Sequence, residues 1–151
     1  MKVIELPVML DSEQQLWETL FDVSKIYPDN WTLVGGQMVY LHCVERGGQM
    51  IRVTNDLDAL LNVRAKSDAL YDFTKRLTDI GFDSVGVSPE GYEHRWIKDK
   101  VQIDILIPDH LGEQAQSKLS VHGFKTIATP GAQQALDRTE KIRFYRMGFR
   151  E

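Results

Sequence analysis

Three aspartates have the residue type and the spacing to hold a divalent cation. Asp56 and Asp58 flank Leu57, and Asp104 lies within an apolar run. Alternate side chains of an extended strand point to the same side, so Asp56 and Asp58 share a face. A neighbouring strand that carries Asp104 brings a third carboxylate beside them. Carboxylates this close repel one another unless a cation neutralises them, and Mg²⁺ or Mn²⁺ prefers such oxygens together with phosphate and water.

A glycine pair, Gly35-Gly36, supplies the second half of a phosphate site. It follows a short predicted strand and opens a predicted helix. Without side chains, this turn presents backbone N–H groups at a helix N-terminus to a phosphate. Alone, a glycine pair is more typical of an ordinary turn, and an Asp-x-Asp pair of a cap or a solvated strand face. The order of the segments along the chain favours a metal-dependent phosphate site.

Strands and helices alternate in a way that can position these residues. Hydrophobic spacing of three and four residues predicts four helices, and alternating or continuous apolar runs predict the strands. The expected strands cover residues 2–6, 31–34, 56–63, 92–98, 100–107 and 140–145, and the expected helices cover 11–27, 37–46, 68–80 and 130–136. The sequence therefore predicts an α+β fold in which helices flank a mixed β-sheet.

Composition limits the class of protein. The 151 residues fit a single domain, and 42% hydrophobic with 26% charged residues excludes disordered and fibrous classes. A net charge of -4 argues against wholesale wrapping of nucleic acid. Residues 138–151 carry five Lys or Arg against two Glu, which suits either an RNA contact or an edge strand protected from aggregation. A single cysteine and the lack of a membrane-spanning apolar run predict a cytoplasmic protein without membrane contact.

The glycine turn, the Asp-x-Asp strand and the third acidic strand residue resemble the pattern of the nucleotidyltransferase fold. The distance between Gly35-Gly36 and the acids resembles AbiEii-type toxin nucleotidyltransferases and antibiotic nucleotidyltransferases. The segment from Arg52 to Asp58 is similar to their Arg-x-Ser/Thr-x-Asp-x-Asp run. This likeness in pattern covers residues 31–108, and it implies a nucleotidyltransferase-like core.

The resemblance implies transfer of a nucleoside monophosphate from a nucleoside triphosphate to an acceptor hydroxyl, with Mg²⁺ or Mn²⁺ as cofactor. Asp56, Asp58 and Asp104 would be catalytic residues and metal ligands, and Asp104 is alternatively the general base. Nucleotide-binding residues would be Gly35, Gly36, Arg52, Thr54 and Arg95. For Arg52 and Thr54 a surface position beside an acidic turn is equally expected, and for Arg95 a solvent-facing position in a hairpin.

The acceptor and the partners are further expectations from the resemblance. RNA such as tRNA is the leading acceptor, with a cognate antitoxin as partner, and a small molecule such as an antibiotic is second. AbiEii-type enzymes continue into a helical C-terminal part that this chain does not show, because the sequence ends soon after a strand-like run. A non-enzymatic nucleotide-binding or partner-binding module is therefore the rival function.

Overall fold

The residues described by a computed structural model form eight strands and four helices. The described residues are 2–6, 11–47, 56–109, 118–139 and 142–146. The strands are β1 (Lys2–Leu6), β2 (Trp31–Val34), β3 (Asp56–Leu61), β4 (Asp83–Ser84), β5 (Arg95–Lys98), β6 (Val101–Pro108), β7 (Ile127–Thr129) and β8 (Ile142–Arg146). The helices are α1 (Asp11–Ile26), α2 (Gly35–Glu45), α3 (Ala69–Asp79) and α4 (Ala132–Asp137).

Six strands form one mixed sheet in the order β2-β3-β6-β5-β4, with β7 paired to β6. The β3/β6 and β6/β7 pairs are parallel, and the β2/β3, β5/β6 and β4/β5 pairs are antiparallel. Strands β1 and β8 form a separate parallel pair. The predicted α+β class and the mixed sheet flanked by helices are therefore confirmed.

One face of the sheet packs on helices α1 and α3 and forms the main core. Alternate residues of β3 and β6 are buried there, because side chains of a strand alternate between its two faces. Phe73 of α3 meets the ring of Tyr27 edge-on and lies tilted against the ring of Trp31 in this core. The other large side chains with almost no exposure include Leu16, Trp17, Leu57, Leu61, Leu70, Leu77, Trp96 and Ile103. This packing fixes which strand residues remain for the opposite face.

The element boundaries depart from the predicted ones at three places near the candidate site. Helix α2 begins at Gly35 rather than at Gln37, because Val34 is the last extended residue and the helix follows at once. Strand β3 ends at Leu61 rather than at residue 63. Strand β5 begins at Arg95 rather than at residue 92, because Tyr92 bridges to Lys125 instead of continuing the hairpin.

Two short strands, β4 and β7, were not predicted. Each has three residues or fewer, which is too short to show a period of two. Within the described ranges, no helix combines the length and the apolar character needed to cross a bilayer.

Candidate functional site

The strand register places Asp58, Asp104 and Arg95 side by side on the face of the sheet opposite the main core. Asp58 pairs with Asp104 across the parallel β3/β6 ladder, and Asp104 pairs with Arg95 across the antiparallel β5/β6 ladder. Paired residues in a sheet project to the same face. On the outer side of Asp58, Val34 is its partner in β2. One row across four strands therefore joins the end of β2 to both carboxylates and the guanidinium.

Gly35 brings the start of helix α2 against Asp58. Gly35 follows Val34 directly and has a φ of +73°, in the left-handed region that favours glycine. A Cβ at this position would collide with Asp58 Oδ2 and lie 3.2 Å from its Cγ. The carboxylate of Asp58 thus occupies the space that the missing side chain leaves open. No side-chain hydrogen bond caps the helix at Val34.

Arg95 forms a two-point ion pair with Asp104. Its Nε donates to Asp104 Oδ1 at 3.0 Å, and its Nη2 donates to Oδ2 at 3.3 Å. The Arg95 side chain is 47% exposed, whereas that of Asp104 is 17% exposed. Hydrogen bonding to Asp104 raises the pKa of Arg95. The sequence predicted Arg95 as a phosphate ligand on the strand paired with that of Asp104, and this strand pairing is observed, but the ion pair with Asp104 was not predicted.

Asp56 completes the acidic face one step along β3. It pairs with Gln102, and Asp58 pairs with Asp104 two positions further on, so all four side chains lie on one side of the sheet. Burial raises the pKa of the Asp58 carboxyl, and the charges of Asp104 and Asp56 raise it further, while Arg95 opposes them. The site therefore carries an excess of negative charge that favours a cation.

The chemistry of these residues fits a hard divalent cation, with one obstacle. Carboxylate oxygens are the ligands that Mg²⁺ and Mn²⁺ prefer. Asp58 and Asp104 are neighbours in register, and the pKa of Asp58 is raised first by burial and then by the charges of Asp104 and Asp56. Among the described residues, however, no three His, Cys, Asp or Glu side chains are placed as a ready metal-binding group. Both oxygens of Asp104 accept hydrogen bonds from Arg95, so this guanidinium competes with a metal ion for Asp104.

Helix α4 limits the site on one side. It contacts β2 and β6, the two strands that flank β3. Leu60 of β3 is buried on the same face as Asp58, outside the main core, and Ala132 of α4 is buried as well. The acidic half of the face, around Asp56, Asp58 and Gln102, remains partly exposed. A ligand can therefore approach this half of the sheet.

The structure brings together five of the eight predicted site residues: Gly35, Asp56, Asp58, Asp104 and Arg95. Gly36 is the second residue of helix α2. Arg52 and Thr54 lie outside the described residues. The predicted Asp-x-Asp strand and the glycine turn therefore occupy one place in the fold, although they are separated along the chain by the whole of α2.

Sequence reasoning missed a second polar cluster, which lies on the core side of β5. Glu93 is 3% exposed and accepts a hydrogen bond from the hydroxyl of Ser120 at 2.7 Å. Its other carboxylate oxygen lies 3.0 Å from Nδ1 of His122, whose ring stacks on the indole of Trp96. These residues are 27 and 29 positions apart in sequence, so no local spacing indicated the cluster. It holds the segment after residue 118 against α3, where Thr74 Oγ1 accepts from the Val121 amide.

Comparison with protein-family models, with curated proteins and with solved structures gave no match to this chain.

Proposed function

We propose that this chain is a nucleotidyltransferase-fold protein that binds a nucleoside triphosphate with Mg²⁺ or Mn²⁺ and transfers the nucleoside monophosphate to an acceptor hydroxyl. The observation that supports this most is the contact between Gly35 and Asp58, together with the register of Asp58 and Asp104. It joins a helix N-terminus, which favours phosphate, to carboxylates that favour a cation. A merely solvated acidic face does not require a side-chain-free turn against one of its carboxylates.

Each residue has a role in the proposed reaction. The N-terminus of α2, opened by Gly35 and Gly36, binds the triphosphate through backbone N–H groups. Asp56, Asp58 and Asp104 hold the divalent cation, which would neutralise phosphate charge and orient the reacting groups. Arg95, in place of a second cation, contacts phosphate oxygens.

The transfer step conserves atoms and charge. The acceptor oxygen forms a bond to the α-phosphorus while the bond to the bridging oxygen breaks, and pyrophosphate leaves with that oxygen. The acceptor hydroxyl loses its proton to a carboxylate, for which Asp104 is the candidate if it does not bind the cation. RNA such as tRNA is the leading acceptor, and an antitoxin is the corresponding partner. A small molecule such as an antibiotic is the second acceptor.

A binding module without transfer activity is the rival proposal. The two-point pairing of Arg95 with Asp104 favours it, because the carboxylate that transfer requires is already engaged. Such a protein binds the nucleotide at the helix N-terminus and leaves its α-phosphorus intact.

A labelling experiment separates these functions. The protein is incubated with each α-³²P nucleoside triphosphate, Mg²⁺ and total tRNA, beside Asp58→Asn and the control Asp83→Asn on the same face of the sheet. Label on RNA that depends on Asp58 supports the enzyme. Nucleotide binding without transfer to tRNA or to a panel of hydroxyl-bearing antibiotics supports the module. Label that Asp58→Asn transfers as well as wild type contradicts the assigned site.

A further inference from the structure

The ion pair between Arg95 and Asp104 bounds the acidic face on the side of β5. Asp104 has Asp58 as its register partner on one side and Arg95 on the other. Arg95 is followed across the sheet by Val85, whose amide donates to the Arg95 carbonyl. The guanidinium is therefore a cation held at the carboxylates by residues of β5 and β6. A metal ion and this guanidinium compete for the same oxygens of Asp104.

The guanidinium has water as an alternative to Asp104. Its side chain is 47% exposed, so water can solvate its charge when it leaves the carboxylate, although a two-point Arg–carboxylate pair is stronger than an ordinary surface ion pair. Asp104 is much less exposed, at 17%, so the carboxylate is the fixed partner and the arginine the mobile one. Guanidinium groups bind phosphate in the same two-point manner as carboxylate. A polyphosphate beside the acidic face therefore offers Arg95 an alternative partner.

We infer that Arg95 is a built-in counterion that blocks metal binding at Asp104 until a polyphosphate draws the guanidinium away. This inference rests on the proposed function and states the order in which the site binds nucleotide and metal. Without nucleotide, Arg95 neutralises Asp104 and the protein binds divalent metal weakly. With the triphosphate present, Arg95 contacts phosphate oxygens and Asp104 becomes available. Arg95 thus makes metal binding depend on substrate.

Two substitutions test the two halves of this exchange with separate probes. Arg95→Gln removes the competing cation, and binding of Mn²⁺ alone is measured by electron paramagnetic resonance. We expect Arg95→Gln to bind Mn²⁺ about tenfold more tightly than wild type, within the usual range of coupling between two ligands. Lys98→Gln is the matched control, because it removes one positive charge from the same strand while its side chain lies near Gly81. It should bind Mn²⁺ as wild type does.

The reciprocal half uses inorganic tripolyphosphate in the presence of a chelator, so that no metal takes part. Asp104→Asn frees Arg95 and should bind tripolyphosphate more tightly than Asp56→Asn, which removes the same charge from the same face. Equal affinities in these two variants contradict the exchange and indicate simple charge repulsion.

A third variant separates failure of this inference from failure of the proposed function. Asp58→Asn is combined with Arg95→Gln and titrated with Mn²⁺. If the double variant loses the binding that Arg95→Gln gained, the metal lies at the proposed site. If Arg95→Gln binds no better than wild type while Asp58→Asn weakens both, the site stands and the counterion inference is overturned. If no variant binds Mn²⁺, or if Asp58→Asn has no effect, the inference and the proposed metal site both fail.

Discussion

Gly35→Ala is expected to destabilise the protein through two separable effects. Gly35 has a φ of +73°, and a Cβ there would collide with the carboxylate of Asp58. Gly47 at the other end of helix α2 has a φ of +76°, and a Cβ there would meet nothing within 4 Å. Gly47→Ala therefore carries the same backbone strain without the collision, which makes it a close control.

The size of each effect follows from the geometry. An alanine in the left-handed region costs about 1–2 kcal/mol. Turning Asp58 away from its preferred rotamer adds about 0.5–1.5 kcal/mol. Gly35→Ala should thus lower the free energy of unfolding by about 1.5–3.5 kcal/mol, equivalent to a fall in Tm of roughly 3–14 °C for a domain of this size.

Urea unfolding followed by far-UV circular dichroism measures these differences directly. Gly35→Ala should exceed Gly47→Ala by the cost of moving Asp58, about 0.5–1.5 kcal/mol. In an Asp58→Ala background the two glycine substitutions should cost the same, because the collision has been removed. If Gly35→Ala and Gly47→Ala cost the same with Asp58 intact, the glycine does not pack against the carboxylate and the reasoning behind the site is refuted.

Three further predictions concern the charges and the core. Burial and neighbouring carboxylates raise the folded-state pKa of Asp58 above 3.8, so its charge costs stability above that shifted pKa and the cost fades as pH falls toward 3.8. Asp58→Asn should therefore raise the free energy of unfolding at pH 7 by about 0.5–2 kcal/mol, with a gain that shrinks toward pH 4 in thermal melts; a lower Tm at pH 7 indicates a structural cap instead. His122→Ala should cost about 1–3 kcal/mol in urea unfolding, because it removes a partner of a buried carboxylate, whereas the exposed His42→Ala should cost under about 0.5 kcal/mol; equal losses contradict this. Phe73→Ala should cost about 3–5 kcal/mol by the same method and the exposed Tyr71→Ala less than about 1 kcal/mol, and a smaller loss at Phe73 would mean that its ring contacts do not stabilise the core.

Periodicity predicted the elements that form the site, because their burial patterns repeat over whole turns or strands. Helix α3 buries Leu70, Phe73 and Leu77 at the spacing that the sequence shows. Strand β6 alternates buried and half-buried residues along its length, which placed Asp104 on the opposite face from Ile103. The shared face of Asp58 and Asp104 followed from this alternation once the two strands were neighbours.

Several side-chain contacts were not predicted from the sequence. Arg95 was predicted on a hairpin strand, but its two-point contact with Asp104 depends on the conformations of both side chains. Glu93 meets Ser120 only because the segment after residue 118 returns to the sheet. The collision that a Cβ at Gly35 would cause depends on the side-chain position of Asp58, so glycine spacing alone did not indicate it.

Isothermal titration of the protein with Mg²⁺ and each nucleoside triphosphate tests the central claim most directly. The proposed site predicts binding of at least one triphosphate to wild type, with the heat lost in Asp58→Asn. Asp83→Asn, which removes an exposed carboxylate from the same face three strands away, should bind as wild type does. Absence of binding by every triphosphate, or wild-type affinity in Asp58→Asn, would contradict the account.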